Sequence, residues 1–252
     1  MKTTLYLFIT VLLTITRLTH AQSGRSVTPS KPTIEQRTIG SFDRLTVRNA
    51  IGVLIIPGNA NQIELESEAD QLHRVVTRID GTELIVEVPE GKLLYTTRTN
   101  AKGKTTSNSK PISVTLHVSV LKAIHLETAC SLIIDTPIAT QALTIALNSA
   151  CHLTTALSVH TLKLTLDAAS GATLKGSVAG QADVRISGAS QLAGSELTMN
   201  QATVDLNGSS EASIRVRETL TATADGNSEL RYGGNPTVKS AKATGQSSIE
   251  RN

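Results

Sequence analysis

From residue 123 to residue 249 apolar and polar side chains alternate in blocks, and the blocks return about every twenty residues. Their register is marked by a small residue that recurs as Cys130, Cys151, Ser170, Ser190, Ser210, Ser228 and Ser247. Four positions before it stand Leu126, Leu147, Leu166, Ile186, Leu206, Ala224 and Ala243, and six before it Ile124, Ile145, Leu164, Val184, Val204, Ala222 and Ala241. Two positions after it come Leu132, Leu153, Ala172, Leu192, Ala212, Leu230 and Ile249. The odd positions between them are polar, as in Glu127, Asn148, Asp167, Ser187, Asn207, Asp225 and Thr244. An apolar period of two marks a strand with one buried face. A unit of about twenty residues is too short to enclose its own core and must stack on its copies.

Two positions before the recurrent residue the chain carries Thr128, Ser149, Ala168, Gly188, Gly208, Gly226 and Gly245, all small, which predicts a tight bend where neighbouring backbones crowd. The pattern therefore predicts an all-β fold, a right-handed parallel β-helix whose coils stack about 4.8 Å apart. The regular coils are expected over about 120–250.

Upstream the pattern is less regular. Leu45, Val47, Ile51, Val53 and Ile55 alternate around Arg48-Asn49-Ala50, a degenerate first coil ending at Pro57-Gly58, and Ile63 and Leu65 mark another strand. Ala69, Leu72, Val75, Val76 and Ile79 fall at helical spacing, which predicts a short helix or irregular insertion before the Asp80-Gly81 turn. Between Gly91 and Lys110 stand Lys92, Arg98, Lys102, Lys104 and Lys110 with no acid among them, predicting an exposed loop or long hairpin. The ordinary reading of such a run is a solvated excursion; the functional one is a ligand-contact loop for an acidic glycan or an envelope phosphate. Alternation restarts at Ile112. Lys122 and Lys239 occupy the place eight before the recurrent residue, where middle coils carry Leu143, Leu162, Ala182 and Ala202, and are expected to cap the two ends of the stack.

Residues 1–21 pair Lys2 with an apolar run from Leu5 to Ile15 and end Thr19-His20-Ala21, the pattern of a secretory signal peptide. About a dozen apolar residues are too few to span a bilayer, so no transmembrane segment is expected in the mature chain. Residues 22–38, polar and holding Pro29 and Pro32, read as a flexible tether, and 39–252 as a single domain. The expected location is the periplasm, the outer-membrane surface or the extracellular space.

Composition narrows the partners. The chain has no Trp, and outside the leader only Phe42, Tyr95 and Tyr232 are aromatic, so the core is aliphatic and an aromatic sugar-stacking groove is not expected. The net charge of +3 falls to +1 when Lys2 and Arg17 leave with the leader, too little to imply nucleic acid.

The candidate chemistry is mostly structural. Cys130 and Cys151 hold equivalent places in successive coils, which allows either a disulfide or two buried thiols. The serines do not continue into Gly-x-Ser-x-Gly, and their recurrence favours a hydroxyl ladder inside a turn over a nucleophile. Among outward positions, Arg185 is expected beside Asp205 and Lys163 beside Asp183, as surface ion pairs rather than an acid pair for glycoside cleavage. His73, His117, His125 and His152 lack metal-ligand spacing, so no catalytic, metal or cofactor-binding residue is assigned.

Phe42-Asp43-Arg44-Leu45-Thr46-Val47, Val53-Leu54-Ile55-Ile56-Pro57-Gly58 and the recurrent Ser187-Gly188-Ala189-Ser190-Gln191-Leu192 resemble the head GIN domain family of auto-transporter adhesins, common in exported proteins of the Bacteroidetes. The resemblance covers about 39–250 and implies a right-handed parallel β-helix with an adhesive or cell-surface role; it supplies no catalytic residues. The expectation is a non-enzymatic, exported binding module whose partner is a glycan or an envelope or host surface protein, with oligomerisation left open. A β-helix polysaccharide lyase or glycoside hydrolase and a structural envelope protein are the alternatives.

Overall fold

A computed structural model describes residues 32–58, 62–90, 96–99, 105–108, 112–118 and 120–252. The chain first forms β1 (Thr33–Thr38), β2 (Arg44–Arg48), β3 (Ile51–Pro57) and β4 (Gln62–Ser67). One helical turn, α1 (Ala69–Leu72), precedes β5 (Val76–Asp80), β6 (Glu83–Glu87), β7 (Thr96–Thr99), β8 (Thr105–Asn108) and β9 (Ile112–Val118). The regular part comprises β10 (Ala123–Glu127), β11 (Ser131–Asn148), β12 (His152–Asp167), β13 (Gly171–Ile186), β14 (Gln191–Leu206) and β15 (Glu211–Ala224). It closes with β16 (Glu229–Gly234), β17 (Thr237–Ala243) and β18 (Ser248–Arg251).

These strands build a parallel β-solenoid. Each coil pairs in parallel with the next, Leu132 with Leu153, Leu153 with Ala172, Ala172 with Leu192, and so on to Leu230 with Ile249. The even positions point inward as the period of two predicts: Ile124, Leu126, Ile145, Leu164, Leu166, Leu206, Ala222 and Leu230 are all buried. The core is a narrow column of aliphatic side chains, which suits a chain nearly without aromatics.

Stacking order departs from chain order at the N-terminal end. β10 pairs with β2, and β2 with β6; the start of β11 pairs with β3, and β3 with β9. The coil 44–57 therefore lies between the coil 83–118 and the first regular coil. The chain steps outward after Pro57, makes the terminal coil, then crosses back over the inserted one to resume at Ala123. The end is closed by antiparallel strands, with β5 on β6, β4 on β9, and β1 on β4.

Three sequence expectations change here. Thr33–Thr38, placed by composition at the end of the tether, is a strand: Arg37 hydrogen-bonds the carbonyls of Val75 (2.8 Å) and Leu72 (3.2 Å), tying β1 to the insertion that follows β4. Lys122 does not cap an end, because two coils stack beyond it; its ammonium pairs with Asp43 at 2.8 Å, where the chain re-enters the stack. Of the helical pattern over 69–79 only α1 forms a helix. Val76 and Ile79 belong to β5, whose ladder to β6 supplies more backbone hydrogen bonds than a short isolated helix could. Residues 1–31, with the leader and most of the tether, lie outside the described residues.

Candidate functional site

The marked column runs up one corner of the stack, and register extends it by two residues. Arg48 aligns with Glu127 and Gly52 with Ser131, so Ile51 stands beside Cys130; Ile112 aligns with Ile51. At this corner the backbone N–H meets a side chain of the next coil where a ladder would offer a carbonyl. The next coil's column side chain accepts it: Cys130 N to Cys151 Sγ (3.4 Å), Cys151 N to Ser170 Oγ (3.3 Å), Ser170 N to Ser190 Oγ (3.1 Å), Ser210 N to Ser228 Oγ (3.4 Å) and Ser228 N to Ser247 Oγ (3.0 Å). The same side chains donate backwards across the turn, Ser170 Oγ to Asp167 O at 2.7 Å, Ser210 Oγ to Asn207 O at 2.8 Å and Ser228 Oγ to Asp225 O at 2.9 Å. Donor and acceptor are both spent, as a buried hydroxyl requires. These hydrogen bonds make the column a structural ladder up the corner.

Cys130 and Cys151 take the same part with sulfur. Both are buried free thiols, donating to Glu127 O (3.2 Å) and Asn148 O (3.0 Å). The Cys130 thiol is pushed well up by Cys151 beside it and by burial. Cys151 is drawn down to about 7, first by its hydrogen bond with the Cys130 thiol and against its own burial. Neither has a histidine base among its hydrogen-bond partners.

The turns before the column come in two kinds. Asn49-Ala50, Thr128-Ala129, Ser149-Ala150 and Ala168-Ala169 all have positive φ at both residues. From Gly188 onward one glycine with positive φ replaces the pair, and a Cβ on Gly208 would lie 2.7 Å from Gly188 O. Only glycine fits that close stacking of backbones.

The outward positions of the N-terminal coils carry the densest charge. Arg48 donates to Glu127 (2.8 Å) and Glu87 (3.3 Å), bridging the coils on either side of its own. Those two acids hold the guanidinium pKa above its ordinary value. Thr46 donates to Glu83, which also lies 3.9 Å from His125 Nδ1. Each of these carboxylates is engaged by a neighbour across the ladder, which is the arrangement of a surface network rather than of a poised acid and base. Among the described residues no group of three or more His, Cys, Asp or Glu side chains is placed to hold a metal.

Farther along, Arg185 aligns with Asp205 and Lys163 with Asp183, as expected. The ion pair differs: Arg185 turns to Asp183 in its own strand at 3.1 Å, and Asp205 accepts from Asn207 (3.2 Å) and Thr223 (2.7 Å) instead. Asp205 is already engaged by Asn207 and Thr223, which leaves Asp183 as the acid that pairs with Arg185.

The basic segment occupies a specific place. In the coil 44–57 the strands are joined by the two-residue turn Asn49-Ala50; in the coil stacked on it, residues 88–111 run between the partners of Arg48 and Ile51. Of its cations, Arg98 lies in β7, which pairs antiparallel with β8; Lys92, Lys102, Lys104 and Lys110 lie outside the described residues.

One apolar feature was missed by the pattern. Each regular coil has a third side, and its first strand, residues 138–140, has no described partner on its N-terminal edge because the chain leaves the coil 44–57 at Pro57. Beside that edge Ile55, Val118, Val120, Leu121, Ile134 and Ile138 line a depression of about 150 Å³. Val120 is 43% and neighbouring Ile133 50% exposed. The only signal in the sequence was an apolar crossover, Val118 to Leu121, without a coil to belong to.

The family model described as "Putative auto-transporter adhesin, head GIN domain" matches residues 41–236. The chain belongs to this family. Solved structures align along most of its length: a "putative adhesin" from Bacteroides fragilis (15% identity, 89% of this chain and 99% of that one, TM-score 0.73), a "putative lipid binding protein" from Parabacteroides distasonis (15% identity, 89% and 98%, TM-score 0.67), and a "putative adhesin" from Parabacteroides merdae (18% identity, 89% and 97%, TM-score 0.64). At these identities the likeness is one of fold. No curated protein matches the sequence significantly. Membership accounts for the head GIN solenoid itself, while the residues that would contact a partner remain those of this chain.

Proposed function

We propose that the protein is a non-enzymatic, exported binding module of the cell envelope, which attaches to anionic glycans through the basic segment 91–110. The observation that carries this reading is positional: the one corner turn of the N-terminal coils that has grown from two residues to the span 88–111 is also the stretch with Lys92, Arg98, Lys102, Lys104 and Lys110 and no acid after Glu90. An insertion at a corner leaves every ladder intact, so it adds recognition without disturbing the stack. Family membership and the leader-like residues 1–21 support export to a surface. The paired carboxylates of the N-terminal faces support binding rather than hydrolysis.

The test replaces the five cations together by serine and follows attachment to immobilised anionic and neutral polysaccharides, with anionic phospholipid vesicles as a separate arm. The expected result is salt-sensitive attachment to the anionic polysaccharide that the variant loses, with an unchanged melting temperature. Attachment that is insensitive to both salt and the substitutions overturns the reading. New reducing or unsaturated ends on the polysaccharide would make the protein a glycan-active enzyme instead.

A further inference from the structure

The two ends of the solenoid are finished differently. At the N-terminal end β4 and β5 lie antiparallel across the terminal coil and occupy its open hydrogen-bonding edge. At the C-terminal end the last coil, β17 and β18, pairs only with the coil before it, β17 with β15 and β18 with β16. Its outer edge has no described partner, and its inward-facing positions are uncovered: Ala241 and Ala243 are exposed, Val238 is 40% exposed and Ile249 is half-buried. An open parallel edge with apolar side chains beneath it is a template for another strand.

We propose that this edge is a homodimer interface, in which two copies meet tail to tail about a two-fold axis through the corner at Gln246. Head-to-tail growth cannot continue the parallel ladder, because the edges that the opposite end of a second copy offers are those of β1 and β5, which run antiparallel to the strands they cover. That leaves the isologous contact, which closes at two copies. A two-fold axis through this corner lays β17 of one copy antiparallel to β18 of the other, since β17 runs toward the corner and β18 away from it.

The register follows by counting equal steps from Gln246. Lys242 then faces Glu250 of the other copy, both on the outer face; Ala243 faces Ile249, both on the inner face; Thr244 faces Ser248. Opposite charges, apolar pairs and hydroxyl pairs all coincide in this one alignment, and the symmetry repeats each of them. Within its own chain Lys242 has only the longer-range attraction of Asp225, and Glu250 stands beside Arg231, which pairs at 2.5 Å with Glu229; neither Lys242 nor Glu250 is in an ion pair within 4.0 Å among the described residues. Shifting the alignment by one residue would put Lys242 opposite Ile249 and break the inward and outward matching of every pair.

The experiment is sedimentation-velocity analysis of the purified protein over a range of concentrations and salt. The expected result is a monomer–dimer equilibrium weakened by salt. Lys242→Glu alone and Glu250→Lys alone each place like charges across both halves of the interface and weaken it by about tenfold or more. The double variant Lys242→Glu/Glu250→Lys restores the pairs with reversed sign and regains dimerisation. Both positions are exposed, so circular dichroism melts at concentrations where the protein is monomeric should stay cooperative and shift little, which separates lost dimerisation from unfolding. A protein that stays monomeric at high concentration overturns the proposal. So does a dimer indifferent to the single swaps, or one that the double swap fails to rescue.

Discussion

The backbone N–H of Cys151 points at Ser170 Oγ, 3.3 Å away, one coil further along the stack. That contact spans nineteen positions of sequence and recurs up the corner, with Cys151, Ser190, Ser228 and Ser247 each accepting likewise from the coil before it. Replacing Ser170 by alanine strands the Cys151 amide and removes the donor to Asp167 O. The expected loss is about 1–3 kcal/mol, read from urea denaturation. Cys151→Ser keeps both roles with a better acceptor than sulfur and should change stability by less than about 1 kcal/mol.

The glycines divide by what lies above them. A Cβ on Gly176, at φ +104°, would come within 2.0 Å of Leu157 O, so Gly176→Ala should cost more than about 3 kcal/mol or prevent folding. Ala169 is the opposite case, a side chain held at φ +67°. Ala169→Gly relieves that strain and should be neutral or stabilising by up to about 1 kcal/mol. Melting temperatures of the two variants check the contrast, and a destabilised Ala169→Gly would show that the methyl packs more than the turn strains.

Arg48 holds apart two acids of the flanking coils. Arg48→Met should destabilise by up to about 1 kcal/mol at neutral pH, because Glu87 and Glu127 on the two flanking coils lose the cation they share. Salt screens these partly exposed charges, so the deficit should shrink at high ionic strength. A deficit independent of salt would mean that the arginine stem, not its charge, matters.

Asp43 and Asp225 both have carboxyls held below their ordinary value of 3.8, Asp43 first through its hydrogen bond with Lys122 and Asp225 first through that from Thr244. A carboxyl with a depressed folded pKa stabilises the fold above its unfolded pKa, and the contribution disappears as pH falls through the folded value. Asp43→Asn should therefore lower the melting temperature at pH 7 and have no effect once the pH is well below 3.8. Because the group is exposed, the difference at pH 7 should be small, and thermal scans across the acid range measure it.

The fold was legible because the solenoid repeats one local instruction many times. Leu126, Leu147, Leu166 and Ile186 need only a period of two to be placed inward, and Cys130 to Ser247 need only equal spacing to be stacked. The candidate ligand loop was legible as charge without acids, though not as an expanded corner. What the pattern could not reveal was the partner of an edge. Arg185 stands beside Asp205 yet pairs with Asp183, since register fixes which residues are neighbours while the hydrogen bonds each acid already holds decide among them.

The sequence by itself determined the coil: its length, its buried face, its turn residues and the side chains that satisfy the turn. Tertiary structure alone decided the order of the coils and the finish of the two ends. Any apolar coil presents its neighbour with much the same edge of N–H and C=O groups, so nothing local says that 44–57 lies inside 83–118. That choice belongs to the antiparallel strands β4 and β5, which cover only one end, and to Lys122 and Asp43, which meet where the chain re-enters the stack.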